Sequence, residues 1–213
     1  MKRGLFITFE GGEGCGKSTH IKTLREYLAK KGFDCLCTRE PGGSPISEKI
    51  RRLLLSPEDG KDMDAKTEIL LFEAARRQHA KQTILPALEA GRIVISDRFF
   101  DSTTAYQGAA RRLDPKDVEW LNNFAAGEAV PDLTILLDLP VEEGLGRAAK
   151  RDAHNADRMG SQTLEFYQKV RAAFLKLAES DKNRFAVVSA EGSREETFAQ
   201  IAAAVERKLQ KNV

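Results

Sequence analysis

Gly11-Gly12-Glu13-Gly14-Cys15-Gly16-Lys17-Ser18 carries the strongest fold signal in this chain. The apolar run Gly4–Glu10 leads into it, and Ile21, Leu24 and Leu28 follow at helical spacing, so the loop joins a strand to an amphipathic helix. GxxxxGK[ST] in that setting is a phosphate cradle. Its glycines let backbone N–H groups wrap an anion, and the helix N-terminus adds the positive end of its dipole. Gly11, Gly12, Glu13, Gly14, Cys15, Gly16, Lys17, Ser18 and the adjoining Thr19 are therefore expected to hold a nucleoside triphosphate. Lys17 would reach the β- and γ-phosphates and Ser18 would ligate Mg²⁺. Glu13 opposes the field of such a loop and should face away from it, toward a sugar hydroxyl or an arginine; a solvated turn position is the competing reading. Cys15 reads as a small, inert residue at which alkylation would block the site.

Outward from the cradle, short apolar runs alternate with helical stretches, the pattern of a parallel sheet flanked by helices. The candidate strands are Gly4–Glu10, Phe33–Thr38, Arg92–Ser96, Leu133–Asp138 and Arg184–Val188. Ile46, Ile50, Leu53 and Leu54 mark a helix stopped by Pro57. Thr67–Ala90 reads as one long helix ended by Gly91, with Pro86 as a kink or joint. Pro115–Ala126, Val141–Arg151, Ser161–Ser180 and Arg194–Leu209 supply the remaining helices. Asp152–Gly160 is polar and aperiodic, the place for a short lid at about 150–160. Without repeat or linker, residues 1–213 are expected to form a single α/β domain on a five-stranded parallel sheet.

Composition narrows the partners. Lys and Arg number 34 against 32 Asp and Glu, a formal net charge of +2. That balance argues against coating nucleic acid or an anionic membrane by bulk charge, so any polyanion must meet a local cluster. Cys15, Cys35 and Cys37 have neither disulfide-framework nor zinc-site spacing, which fits reduced thiols and a cytoplasmic location. The apolar start breaks at Glu10, well short of the ~20 residues of a membrane span.

Ile93-Val94-Ile95-Ser96 ends in Asp97-Arg98, where strand C-termini form the ligand crevice of a doubly wound sheet. Asp97 could hold Mg²⁺ through water and Arg98 could grip a second phosphate. Arg39 occupies the matching place in Thr38-Arg39-Glu40-Pro41-Gly42-Gly43. Two arginines at two strand ends suggest an acceptor that is itself a phosphate, which suits the guanidinium fork. Phe72 and Arg76 stand four apart on one helical face, where a ring and a fork could stack on and hydrogen-bond a base; a core position for Phe72 is the competing reading.

The set GxEGxGKS, TREPGG, LLFxAxR, SDRF and AYQG, in this order and spacing, closely resembles bacterial thymidylate kinases, with a nucleoside-monophosphate-kinase-like P-loop fold. The resemblance implies transfer of the γ-phosphoryl of ATP to dTMP, giving dTDP and ADP with Mg²⁺. It implies that Arg39 and Arg98 hold the dTMP phosphate, Phe72 stacks on thymine and Arg76 bonds its carbonyl. Thr103 and Gln107 would meet the base edge, and Tyr106 would pack against the deoxyribose. Glu13 would lie near the acceptor's sugar and phosphate. This type lacks a P-loop arginine and carries catalytic arginines in the lid, here Arg151 and Arg158, while Arg147 would pack on adenine. The stretch from Arg151 to Arg158 is slightly longer than in relatives, which leaves Lys150 and Arg151 competing for one role. Ala109-Ala110 replace glycines often found after AYQG. A homodimer packed through helices flanking the sheet is also implied. Another nucleoside or nucleoside-monophosphate kinase, and more distantly a non-kinase P-loop ATPase module, are the rival readings.

Overall fold

The computed structural model describes residues 3–151, 158–160 and 162–211, with Arg151 and Lys211 placed only as helix residues. Five strands, β1 (Phe6–Gly11), β2 (Cys35–Arg39), β3 (Ile93–Asp97), β4 (Leu133–Asp138) and β5 (Phe185–Ser189), form one parallel sheet in the order β2-β3-β1-β4-β5. The central β1 is buried from end to end, as a strand covered on both faces is; its apolar Phe6, Ile7 and Phe9 are interleaved with the buried Thr8 and Glu10. Four of the five strands begin or end one or two residues from the expected bounds, and β4 lies where it was read. Because β1 has neighbours on both sides that are reached by separate crossovers, its C-terminal end opens onto a crevice, and the phosphate cradle begins there.

Helices cover both faces. On one, α1 (Lys17–Lys30) and α9 (Arg194–Lys211) enclose a core built on Ile7, Phe9, Leu24, Leu28, Ile135 and Ile201. On the other lie α2 (Pro45–Leu55), α3 (Ala65–His79), α4 (Leu85–Glu89), α5 (Phe100–Thr103), α6 (Pro115–Ala126), α7 (Val141–Arg151) and α8 (Leu164–Ser180). Phe6 and Phe99 meet there edge to face, with centroids 5.0 Å apart. No described helix is long and apolar enough to cross a membrane. The three cysteines are free, and burial with the neighbouring Cys37 and Asp34 pushes the Cys35 thiol up to about 11.

Two departures from the sequence reading matter for the site. The long helix expected over 67–90 is three pieces: α3, a wide π-type stretch over Ala80–Ile84, and α4 with Pro86 in its first turn. A proline that cannot donate to the preceding turn is tolerated where the ladder has already been reset. The second departure is helix where none was expected: α5 continues into a π-type stretch over Thr104–Ala110. This segment leans on α8 through Ala105 and Tyr106 and points Thr103 and Gln107 into the crevice.

Candidate active site

A cleft of about 1010 Å³ opens above the C-terminal ends of β1, β2 and β3. The cradle residues Gly14, Gly16, Lys17, Ser18 and Thr19 form one end of it. Lys17 is buried, and its ammonium donates to the carbonyls of Gly11 (3.1 Å) and Gly12 (2.8 Å), bent over the loop that a phosphate would fill. Gly14 and Gly16 have φ of +68° and +90°, the left-handed region that lets successive N–H groups converge. Gly14 also abuts α7: a Cβ on it would collide with the Gly144 carbonyl oxygen, and a Cβ on Gly144 with that of Glu13. Cys15 is turned inward, its thiol against the Gly12 carbonyl.

Ser18 and Asp97 converge from α1 and β3, with the hydroxyl donating to the carboxylate at 3.0 Å. Two hard oxygen groups side by side, next to Lys17, suit Mg²⁺, which accepts few protein ligands and completes its shell with water and phosphate. Among the described residues no group of three or more His, Cys, Asp or Glu is placed to hold a metal ion.

Arg98 sits at the middle of the cleft with φ +70°, a left-handed conformation that is costly for a side-chain-bearing residue. Its backbone N–H is held by the Phe9 carbonyl, and its guanidinium donates to Gly11 O, Ser102 Oγ, Glu13 Oε1 (2.8 Å) and Tyr106 Oη (3.1 Å). Glu13 therefore meets an arginine, one of the two destinations expected for it. Tyr106 lies under the guanidinium, 5.0 Å from ring centre to Arg98 Cζ, and burial, with the Glu13 charge adding, raises its phenol well above the ordinary value. Beneath this set lies a residue that motif reading passed over. Glu10, at the end of β1, accepts from the Phe99 N–H (2.7 Å) and the Ser102 hydroxyl (2.6 Å) and so fixes the turn that aims Arg98. Burial, with Asp101 adding to it, pushes the Glu10 carboxyl up to about 8 against the pull of Arg98.

Phe72 is half-buried on the cleft wall and is not one of the fully buried core residues. Arg76, four residues on, is 2% exposed and surrounded by protein. Nε donates to Glu40 (2.7 Å), Nη1 to Glu73 and Asn122, and Nη2 to Thr103 (3.0 Å). Of its five N–H groups these four contacts leave one Nη2 hydrogen for a ligand. His79 continues the network, joining Glu40 to Thr38. Arg39 also borders the cleft; it is half-exposed and paired with Glu48 at 3.0 Å, while Glu48 caps the Gly43 N–H. The signal for Glu68 and His79 was available: Glu68, Phe72, Arg76 and His79 fall on one face of α3 at helical spacing.

The remaining predicted residues are less central. Arg147 on α7 lies beside Gly14, donates to the Ala190 carbonyl (3.2 Å) and pairs with Glu143. Arg158 is 11% exposed and does not line the cleft; Nε donates to Leu54 O (2.8 Å) and Nη1 pairs with Glu68 (2.6 Å). A role at the phosphates would require it to leave Glu68. The Arg151 side chain and residues 152–157 of the expected lid lie outside the described residues.

Known proteins resemble this chain over nearly its whole length. Over 210 residues the chain is 46% identical to a thymidylate kinase of Geotalea uraniireducens (strain Rf4), covering 97% of this chain and 98% of that protein. A solved thymidylate kinase from Ehrlichia chaffeensis superposes with a TM-score of 0.78 at 30% identity, over 95% of this chain and 99% of the other. A family model described as thymidylate kinase matches residues 9–201, and the chain belongs to the thymidylate kinase family.

Proposed function

We propose that this chain transfers the γ-phosphoryl of ATP to dTMP, giving dTDP and ADP. The observation that carries the reading is the placement of Arg98, Tyr106, Phe72 and Arg76 on the wall of the cleft that ends in the phosphate cradle. A phosphate held by Arg98 and Arg39 is already a nucleophile at neutral pH, so no general base is required. What the protein supplies is alignment and charge neutralisation. Lys17 would leave the loop carbonyls for the transferring phosphates. Ser18 and Asp97 would hold Mg²⁺, which when bound offsets charge on the phosphate oxygens. Arg151 and Arg158 are the candidates for further positive charge at the transferred group, and Arg147 for the face of adenine. Glu13 would position Arg98, and Tyr106 would crowd the 2′ side of the acceptor sugar. Phe72 would stack on thymine, with the one remaining Arg76 N–H for a thymine carbonyl and Thr103 and Gln107 at the base edge.

A homodimer is proposed on a second observation. Leu70 of α3 and the stacked pair Trp120 and Phe124 of the neighbouring α6 are all more than half exposed, an apolar surface that association would cover. The reduced thiols support a cytoplasmic setting. The function is tested by coupled ADP release over dTMP, dUMP, dCMP, dGMP, AMP and thymidine. dTMP should give the highest kcat/KM, and Arg98→Ala should lower it by about a hundredfold or more. Preference for another acceptor, or normal dTMP turnover in Arg98→Ala, would sink the assignment.

A further inference from the structure

Glu68 lies on α3 one turn before Phe72 and is 1% exposed. Three side chains from elsewhere in the fold meet on its carboxylate. Oε1 accepts from Gln107 Nε2 at 2.8 Å, Oε2 pairs with Arg158 Nη1 at 2.6 Å, and Arg111 approaches both oxygens at 3.4 Å. Gln107 is 2% exposed and lines the cleft near Thr103 and Arg76. A glutamine amide has an accepting end and a donating end, and nothing in the residue itself chooses which one a ligand meets. Glu68 makes that choice. With two guanidinium groups against it, it acts only as an acceptor, so the NH₂ of Gln107 turns to it and the carbonyl oxygen is left for the cleft.

We propose that Glu68 is a specificity-determining positioning residue, which holds the Gln107 amide in one of its two orientations and so makes the cleft present a hydrogen-bond acceptor to the base. The proposal rests on Gln107 being a base contact. Thymine carries a hydrogen on N3 and satisfies that acceptor. Cytosine has a bare lone pair on N3, which would face the carbonyl oxygen and leave two buried acceptors opposed. An amide free to turn over would serve either base. Sites built around a particular N–H reject analogues that lack it far more strongly than apolar pockets reject a change of shape. Discrimination against cytosine is therefore set one residue away from the ligand.

The test is the ratio of kcat/KM for dTMP to that for dCMP, with a competitive Ki for dCMP where its turnover is too slow, in the unaltered enzyme and in Glu68→Asp, Glu68→Gln and Gln107→Ala. A ratio taken on one preparation does not depend on the fraction of folded enzyme. Glu68→Asp keeps the charge that Arg111 and Arg158 require but draws the carboxylate back from Gln107; Glu68→Gln offers an amide that can pair with either end of Gln107. The ratio should fall about tenfold or more in both Glu68 variants and in Gln107→Ala, with a raised KM for dTMP and an unchanged KM for ATP. An unaltered ratio in folded Glu68→Asp, alongside a reduced one in Gln107→Ala, overturns the role of Glu68 and leaves the base contact standing. An unaltered ratio in Gln107→Ala overturns both.

Discussion

Glu10 shows how much of the candidate site rests on buried residues that do not line the cleft. Its two oxygens hold the Phe99 N–H and the Ser102 hydroxyl, and burial keeps its proton to about pH 8. The consequence for stability has a definite sign. In the unfolded chain this carboxyl releases its proton near 4.5, whereas the folded one retains it to about 8. Its favourable contribution is therefore complete below 4.5 and is lost as pH climbs toward 8. Glu10→Gln, which has the shape of the protonated acid and no titration, should gain stability relative to the parent as pH rises from 5 to 9, by a few kcal/mol at most. Urea unfolding at both pH values checks this, and a stability difference that does not change with pH would contradict it. The candidate site residues Lys17, Arg39, Phe72, Arg76 and Arg98, which the fold brings to one cleft, were picked out by motif and spacing. Their supports were not, because Glu10, Glu40 and Glu73 act through burial, and a buried carboxylate looks in sequence like any exposed one.

The elements divide the same way. β1, β3 and β4 are legible because strands covered on both faces are mostly apolar. The half-covered edge strands β2 and β5 are legible as short apolar runs between helical stretches. The segment from Phe100 to Ala110 was not, although it carries three predicted site residues. Its buried face includes Asp101, Thr103 and Gln107, each satisfied by a hydrogen bond, so the apolar period that announces a helix is missing. On α3 the pattern is blurred for the same reason: Glu68, Glu73 and Arg76 lie inside beside Ile69 and Ala75, while Leu70 is more than half exposed. In α7, two glycines two residues apart make opposite predictions. Nothing lies within 4 Å of a Cβ on Gly146, so Gly146→Ala should add up to ~1 kcal/mol from helix propensity, raise Tm by ~2–4 °C and leave turnover unchanged. Gly144 backs directly onto the Glu13 carbonyl. Gly144→Ala should displace the cradle and raise KM for ATP about tenfold or more despite the same gain in propensity. Melting curves and ATP titrations of the two variants, side by side, distinguish them.

Over the whole molecule, a net charge of +2 coexists with a cleft lined by arginines because those arginines come with their own anions. Arg98 is paired with Glu13, Arg76 with Glu40 and Glu73, and Arg39 with Glu48. A phosphate entering at Arg98 or Arg39 would compete with a tethered carboxylate, so loading the acceptor resembles ion exchange on a resin whose resting counterions are covalently attached. Few mobile salt ions are displaced in that exchange, and entry from solution owes little to long-range attraction. KM for dTMP should accordingly change by less than about threefold between 50 and 300 mM KCl, where an unpaired cationic groove would lose affinity steeply. Small inorganic anions should likewise be weak competitors, since each would have to dislodge a carboxylate held at high local concentration by the fold itself.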